Sequence, residues 1–145
     1  MALRWTSALA IGVPELDAQH AELFRRVERL HDAMIAHDRT EAARLLEFLL
    51  VYVREHFAAE EALMARTAFP GRAAHEAEHA AFAADIAGLY ELLAREGTTA
   101  RLVLTVEQRV TGWLRDHIYT SDIAVGRHAA SAAPHPREPM ATTAG

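Results

Sequence analysis

A chain of 145 residues, 51% hydrophobic and 24% charged, has the length and balance of one soluble domain with a real core. A net charge of −5 leaves no electrostatic footprint for nucleic acid or an anionic membrane. The absence of cysteine excludes disulfides, thiolate metal sites, iron–sulfur clusters and cysteine nucleophiles, and the absence of lysine excludes Schiff-base and P-loop lysine chemistry. No apolar run reaches the length of a membrane span, and no apolar h-region precedes the cleavage-like Ala8-Leu9-Ala10. The expectation is a cytoplasmic protein, monomeric, without a secretory signal.

Residues 1 to about 15 read as an irregular arm anchored by Trp5. A first helix is predicted from near Asp17, its inward stripe running His20, Leu23, Phe24, Val27, Leu30 and Met34 at the three-and-four spacing of an amphipathic helix. It should stop near His37. Asp38 with Glu41 suggests a capping box for a second helix, whose stripe is Leu45, Leu46, Leu49, Val53, His56, Glu60 and Met64. Phe69-Pro70-Gly71 should end it. The third helix carries His75, His79, Phe82, Ile86, Leu89 and Leu93 inward, stopping at Gly97, with Thr98 or Thr99 capping the next. The fourth presents Leu102, Val103, Val106, Val110, Trp113 and His117 and should fray around Gly126. The Pro/Ala/Thr-rich stretch 129–145 is expected to be disordered.

This pattern is all-α and has no strand alternation. It predicts an antiparallel up-down-up-down four-helix bundle over residues 1–128, with an N-terminal arm. Topology then makes a test. His20 lies near the start of helix one, and His56 with Glu60 near the end of helix two. His75 and His79 open helix three, and His117 with Asp122 close helix four. In an antiparallel bundle those four places share one end, so every helix sends polar residues to one level of the core. Residues four apart stand on one helix face, so the pairs His56/Glu60 and His75/His79 each aim at one spot. His117 and Asp122 are five apart, roughly 140° round an ideal helix. The helix should therefore widen or end between Ile118 and Asp122.

Five imidazoles and two carboxylates are too many donors for one ion, and the mixture suits a borderline transition metal rather than calcium or magnesium. Two six-coordinate ions fit if both carboxylates and a solvent-derived oxygen bridge them. One coordination position is then left open for a small ligand. Lone histidines on apolar stripes are usually satisfied core residues; convergence of this whole set argues for metal.

The pieces Asp17-Ala18-Gln19-His20, His56 through Met64, the proline turn, His75 to His79, and Trp113-Leu114-Arg115-Asp116-His117 through Asp122 resemble the hemerythrin family, specifically its single-domain bacterial members. The resemblance spans roughly residues 5–125, matches all seven ligand positions, and departs from the pattern at Phe69, where tyrosine is usual. It implies reversible dioxygen binding at a non-haem di-iron centre: two iron ions per chain, bridged by Glu60, Asp122 and an oxo or hydroxo group. By that resemblance His75, His79 and His117 would complete one iron, and His20 and His56 the other, where dioxygen binds.

Trp113, Leu114 and Ile118, with Phe24 and Phe57, are the candidates for a dry wall around the bound gas. His31 is about 16 Å along the axis from His20 at the helical rise, too far to join. His37, His128 and His135 fall in links or tail and read as solvated. The sequence carries no free acid or base beyond the candidate ligands, so the reading is an oxygen-binding protein and not an enzyme. The alternatives are a di-iron enzyme reducing peroxide or nitric oxide, and an oxygen-sensing module.

Overall fold

The computed structural model describes residues 4–132. The arm holds a short 3-10 turn, Ser7–Leu9, and reaches the bundle with Trp5 partly buried and Ile11 buried. Helix α1 spans Pro14–Ile35, α2 Arg39–Arg66 and α3 Arg72–Glu96. A fourth rod runs over 100–132. Among the described residues there is no strand. Neighbouring helices pack in chain order, α1 on α2 and α2 on α3, while the fourth rod packs against both α3 and α1. The four-helix bundle is as expected.

Helix ends differ from the sequence reading in instructive ways. Helix α1 begins at Pro14, three residues before Asp17, because proline at the first position has a preset φ and no N–H to waste. Asp17 instead reaches back, its Oδ1 accepting from the Ile11 N–H at 2.8 Å. Only half of the expected capping box forms: Asp38 accepts from the Glu41 N–H, while the Glu41 carboxylate turns to Arg44. The α1 end closes with Asp38 N–H on the Ala33 carbonyl (2.9 Å) and His37 N–H on Met34 (3.1 Å). The α2 end repeats it, Phe69 N–H to Met64 (2.9 Å) and Ala68 N–H to Ala65 (3.3 Å). These are Schellman closures, and the left-handed residue in each is non-glycine: His37 at φ 54° and Ala68 at φ 52°. Helix α3 stops at Gly97 (φ 77°), and the Thr99 side chain accepts from Leu102 N–H, as expected.

The fourth rod is continuous but not uniform. It alternates α-helical Ala100–Val106, π-helical Glu107–Thr111, α-helical Gly112–His117, π-helical Ile118–Asp122 and α-helical Ile123–Ala132. The reason is legible in one run of its buried positions, Leu102, Val106, Val110, Leu114, Ile118 and Asp122, which recur every four residues. Four α-helical residues rotate about 400°, so such a stripe drifts about 40° per step in an ideal helix. A π turn carries more residues and rotates each by less, which brings the stripe back to the core. The widening expected near Asp122 is found there; the first one, at Glu107–Thr111, was not anticipated. Val103 and Trp113, expected on the presented stripe, are only partly buried, and Leu114 and Ile118 take interior places.

Nor does the rod fray at Gly126. That glycine lies under the arm: a Cβ there would collide with the Ile11 carbonyl oxygen and stand 3.0 Å from its carbon. His128 is helical and half-buried, its Nε2 donating to the Thr67 carbonyl at 2.7 Å, so it ties the rod to the end of α2 rather than being solvated. Residues 129–132 thus belong to the last helix, and the remainder of the expected tail, with His135, lies outside the described residues.

Candidate metal centre

One face of each helix delivers its polar residues to a single buried level. His20, His56, Glu60, His75, His79, His117 and Asp122 are each 5% exposed or less, and all seven come together. Above them the continuous apolar core extends down the bundle. One turn beyond them, buried Met64 and Val125 stand apart from that core.

The seven side chains sort into two overlapping groups. Glu60, His75, His79, His117 and Asp122 form one, and His20, His56, Glu60 and Asp122 the other, with donor atoms in each group within 4.8 Å of one another. The carboxylates are shared in a specific way. Glu60 Oε1 contacts His75 Nε2 closely and lies 3.3 Å from His79 Nε2, while its Oε2 lies 3.3 Å from His56 Nε2 and 3.8 Å from His20 Nε2. Asp122 Oδ1 is 2.9 Å from His117 Nε2 and 3.1 Å from His75 Nε2; its Oδ2 is 3.1 Å from His20 Nε2. Each carboxylate offers one oxygen to each group.

Many of these approaches are close without being hydrogen bonds. His20 Nε2, His79 Nε2, Glu60 Oε2 and Asp122 Oδ1 are buried and have no hydrogen-bond partner among the described residues. Orphaned buried polar atoms cost on the order of 1–3 kcal/mol each, more when charged, and native proteins rarely tolerate several together. Two imidazole nitrogens, His75 Nε2 and His117 Nε2, also face each other at 3.1 Å. Lone pairs that converge on shared points rather than on N–H groups fit a cation, and mixed imidazole and carboxylate donors fit a transition metal.

Without a cation the set compensates itself with protons. Burial pulls His20 down, but contact with Asp122 and Glu60 outweighs it and pushes His20 up to about 9. His75 goes the same way, to about 9, for the same causes. His56 is held low, chiefly by burial. Burial raises Glu60 and Asp122, yet the surrounding imidazoles win and keep both carboxyls well below the usual range. A metal would displace those protons.

The outward ring nitrogens have partners that sequence reasoning did not identify. His56 Nδ1 donates to Gln19 Oε1 at 2.7 Å. His117 Nδ1 lies 2.8 Å from Glu78 Oε2. Glu61 stays 3.8 Å from His79 Nδ1, beyond hydrogen-bonding distance. Aromatic rings cover the three-histidine half: Phe57 stacks on His79 (3.8 Å between centroids), Trp113 on His117 (4.2 Å), and Phe82 on Trp113 (3.9 Å). Phe82 was expected only as core. Phe24, Leu114 and Ile118 are buried in the continuous core, Phe24 one turn along α1 from His20. His31 pairs with Glu107 at 3.4 Å and His37 with Thr98 at 3.2 Å, both apart from the cluster.

The fold and site therefore define a bundle protein built to hold metal between its helices. Residues 11–123 match the family model described as the hemerythrin HHE cation binding domain, and the chain belongs to the hemerythrin family. Among its relatives, a bacteriohemerythrin from Methylococcus capsulatus is 31% identical over 125 residues, covering 86% of this chain and 94% of the relative. A hemerythrin-like protein from Naegleria gruberi is 35% identical over 120 residues, covering 82% and 87%. Among solved structures, a wild-type hemerythrin superposes with a TM-score of 0.79 at 30% identity, over 90% of this chain and 99% of that one. No helix among the described residues is long and apolar enough to cross a membrane.

Proposed function

We propose that this chain binds dioxygen reversibly at a pair of iron ions, as an oxygen carrier, store or scavenger rather than an enzyme. The observation that carries the reading is the three-to-two division of imidazoles around two shared carboxylates. His75, His79 and His117 would hold one ion, His20 and His56 the other, and Glu60 and Asp122 would bridge them. The residues would give the first ion five protein donors and the second four, so the two-histidine position would have the more room for a diatomic ligand. When bound, the iron pair supplies two electrons to dioxygen and takes them back on release.

The protein's own contribution is charge and dryness. Two carboxylates inside the bundle offset cationic charge that would otherwise cost several kcal/mol to bury. The ring stack of Phe57, Phe82 and Trp113 backs the three-histidine half, and Phe24, Leu114 and Ile118 supply apolar surface to the neighbouring core. Apolar walls of that kind exclude water, whose entry would release reduced oxygen and leave the metal oxidised. The relatives named bacteriohemerythrin support the same reading. Iron content and visible spectra test it. The expected result is two irons per chain and an absorption band in air that disappears on deoxygenation and returns with air. Zinc or no metal after growth in ample iron, or a band that does not return, would overturn it.

A further inference from the structure

We infer that Glu78 is a positioning residue for the metal centre, fixing His117 and the wide turn that carries Asp122, and that it makes the three-histidine position the tighter of the two. The inference rests on the metal reading above but not on dioxygen chemistry. Glu78 sits on α3 between His75 and His79, yet its carboxylate serves the fourth rod. Oε2 lies 2.8 Å from His117 Nδ1 and accepts from Ser121 Oγ at 3.1 Å. The first contact falls just before the π-helical segment Ile118–Asp122 and the second inside it, one residue before Asp122. One carboxylate therefore holds the residue that enters the turn and the residue before Asp122, and so spans most of the turn that lets residues five apart in sequence converge.

The contact also sets a tautomer. With a cation at the centre to keep protons off Nε2, a carboxylate oxygen beside Nδ1 favours the proton on that nitrogen and leaves the Nε2 lone pair facing Glu60, His75 and Asp122. It raises the donor strength of the ring as well, as carboxylates behind ligating histidines do. The two-histidine half has no equivalent. His56 Nδ1 meets the neutral amide of Gln19, and His20 Nδ1 is buried without a hydrogen-bond partner among the described residues. Anionic support thus lies on one side only, and a divalent ion should fill that side first and leave it last.

The test is a titration of the iron-free protein with Co2+, which reports ligand geometry in its visible bands. The wild type should take up two ions in distinguishable steps. Glu78→Ala should weaken the first step by ~10–100-fold and change its band pattern, with the second step moved far less. Glu78→Asp, which keeps the charge, should recover part of the loss, whereas Glu78→Gln should not. Nitrogen-15 NMR of the Zn2+-loaded wild type should find a strongly hydrogen-bonded His117 Nδ1 proton, and Glu78→Ala should shift its signal. Glu76→Gln, on the Arg72-paired surface of the same helix, should match the wild type. Wild-type affinity and bands in Glu78→Ala, or an unchanged His117 Nδ1 signal in that variant, would overturn the inference. A wild type that binds no Co2+ would instead sink the metal reading itself.

Discussion

Replacing Glu60 by glutamine changes one atom and should remove most of the centre. The Glu60 carboxylate has five imidazole nitrogens about it: His75, His79 (3.3 Å) and His117 (4.0 Å) at Oε1, His56 (3.3 Å) and His20 (3.8 Å) at Oε2. An amide can turn its oxygen to one half only, and its NH2 must then face the donors of the other half. In the iron-free protein the change leaves buried, protonated imidazoles short of a counter-charge, a cost of about 3–5 kcal/mol. In the loaded protein, an ion held a thousandfold above its Kd contributes about 4 kcal/mol, so each lost ion removes that much. At roughly 4 °C per kcal/mol for a domain of this size, a lost ion lowers Tm by about 15 °C. Metal analysis and thermal melts with and without iron measure both quantities. Glu61→Gln is the matched control, since Glu61 makes no hydrogen bond to the cluster. If Glu60→Gln keeps two irons and the wild-type Tm, the carboxylate is not shared between two ions and the division of the site is wrong.

Other parts of the chain give independent outcomes. His56→Ala should lose or cripple metal binding, while His37→Ala, distant and bonded only to Thr98, should leave the iron content unchanged. Ala68→Gly should stabilise by about 0.5–1 kcal/mol in urea unfolding, because glycine relieves the left-handed φ of 52° at the end of α2. Gly126→Ala should destabilise by about 2–3 kcal/mol in the same assay, roughly the burial of Ile11 that is lost when a Cβ pushes the arm away. For the iron-free protein, His20 and His75 are raised in the fold, so the stability they contribute is complete below about pH 6.5 and disappears as pH rises through about 9. Its Tm should therefore fall across that window, whereas the metal-loaded protein, whose imidazoles are held neutral as ligands, should stay level.

Sequence periodicity alone revealed most of α3, where His75, His79, Phe82, Ile86, Leu89 and Leu93 are all buried as expected. It did less well on the fourth rod, because a window tuned to 3.6 residues selects Trp113 where a strict four-residue repeat selects Leu114. That repeat, Leu102 to Asp122, was itself a signal for non-uniform winding. The closures at His37 and Ala68 were illegible for a different reason: the left-handed residue in each lacks the glycine that marks such turns, and packing of the helix ends has overridden local preference. Gly126, by contrast, was visible but misread, since a glycine that ends a helix and one that admits a crossing backbone look alike in one dimension.

The supporting partners show a rule that sequence could have yielded. Gln19 precedes His20 but bonds to His56 on the next helix, and Glu78 precedes His79 but contacts His117 on the next rod. One residue back is about 100° round a helix. A side chain just before an inward ligand therefore faces the seam with a neighbouring helix rather than the centre. Helices α1 and α3 run in the same direction, so the offset turns both partners toward the next helix in the ring. The difference in charge behind the ligands, added to the three-to-two division of imidazoles, then comes down to residue identity at equivalent places, an amide at 19 and a carboxylate at 78. Exchanging the two functional groups, Gln19→Glu with Glu78→Gln, should reverse the order in which the two positions fill with Co2+. An unchanged order would mean that the number of histidines, and not the charge behind them, decides it.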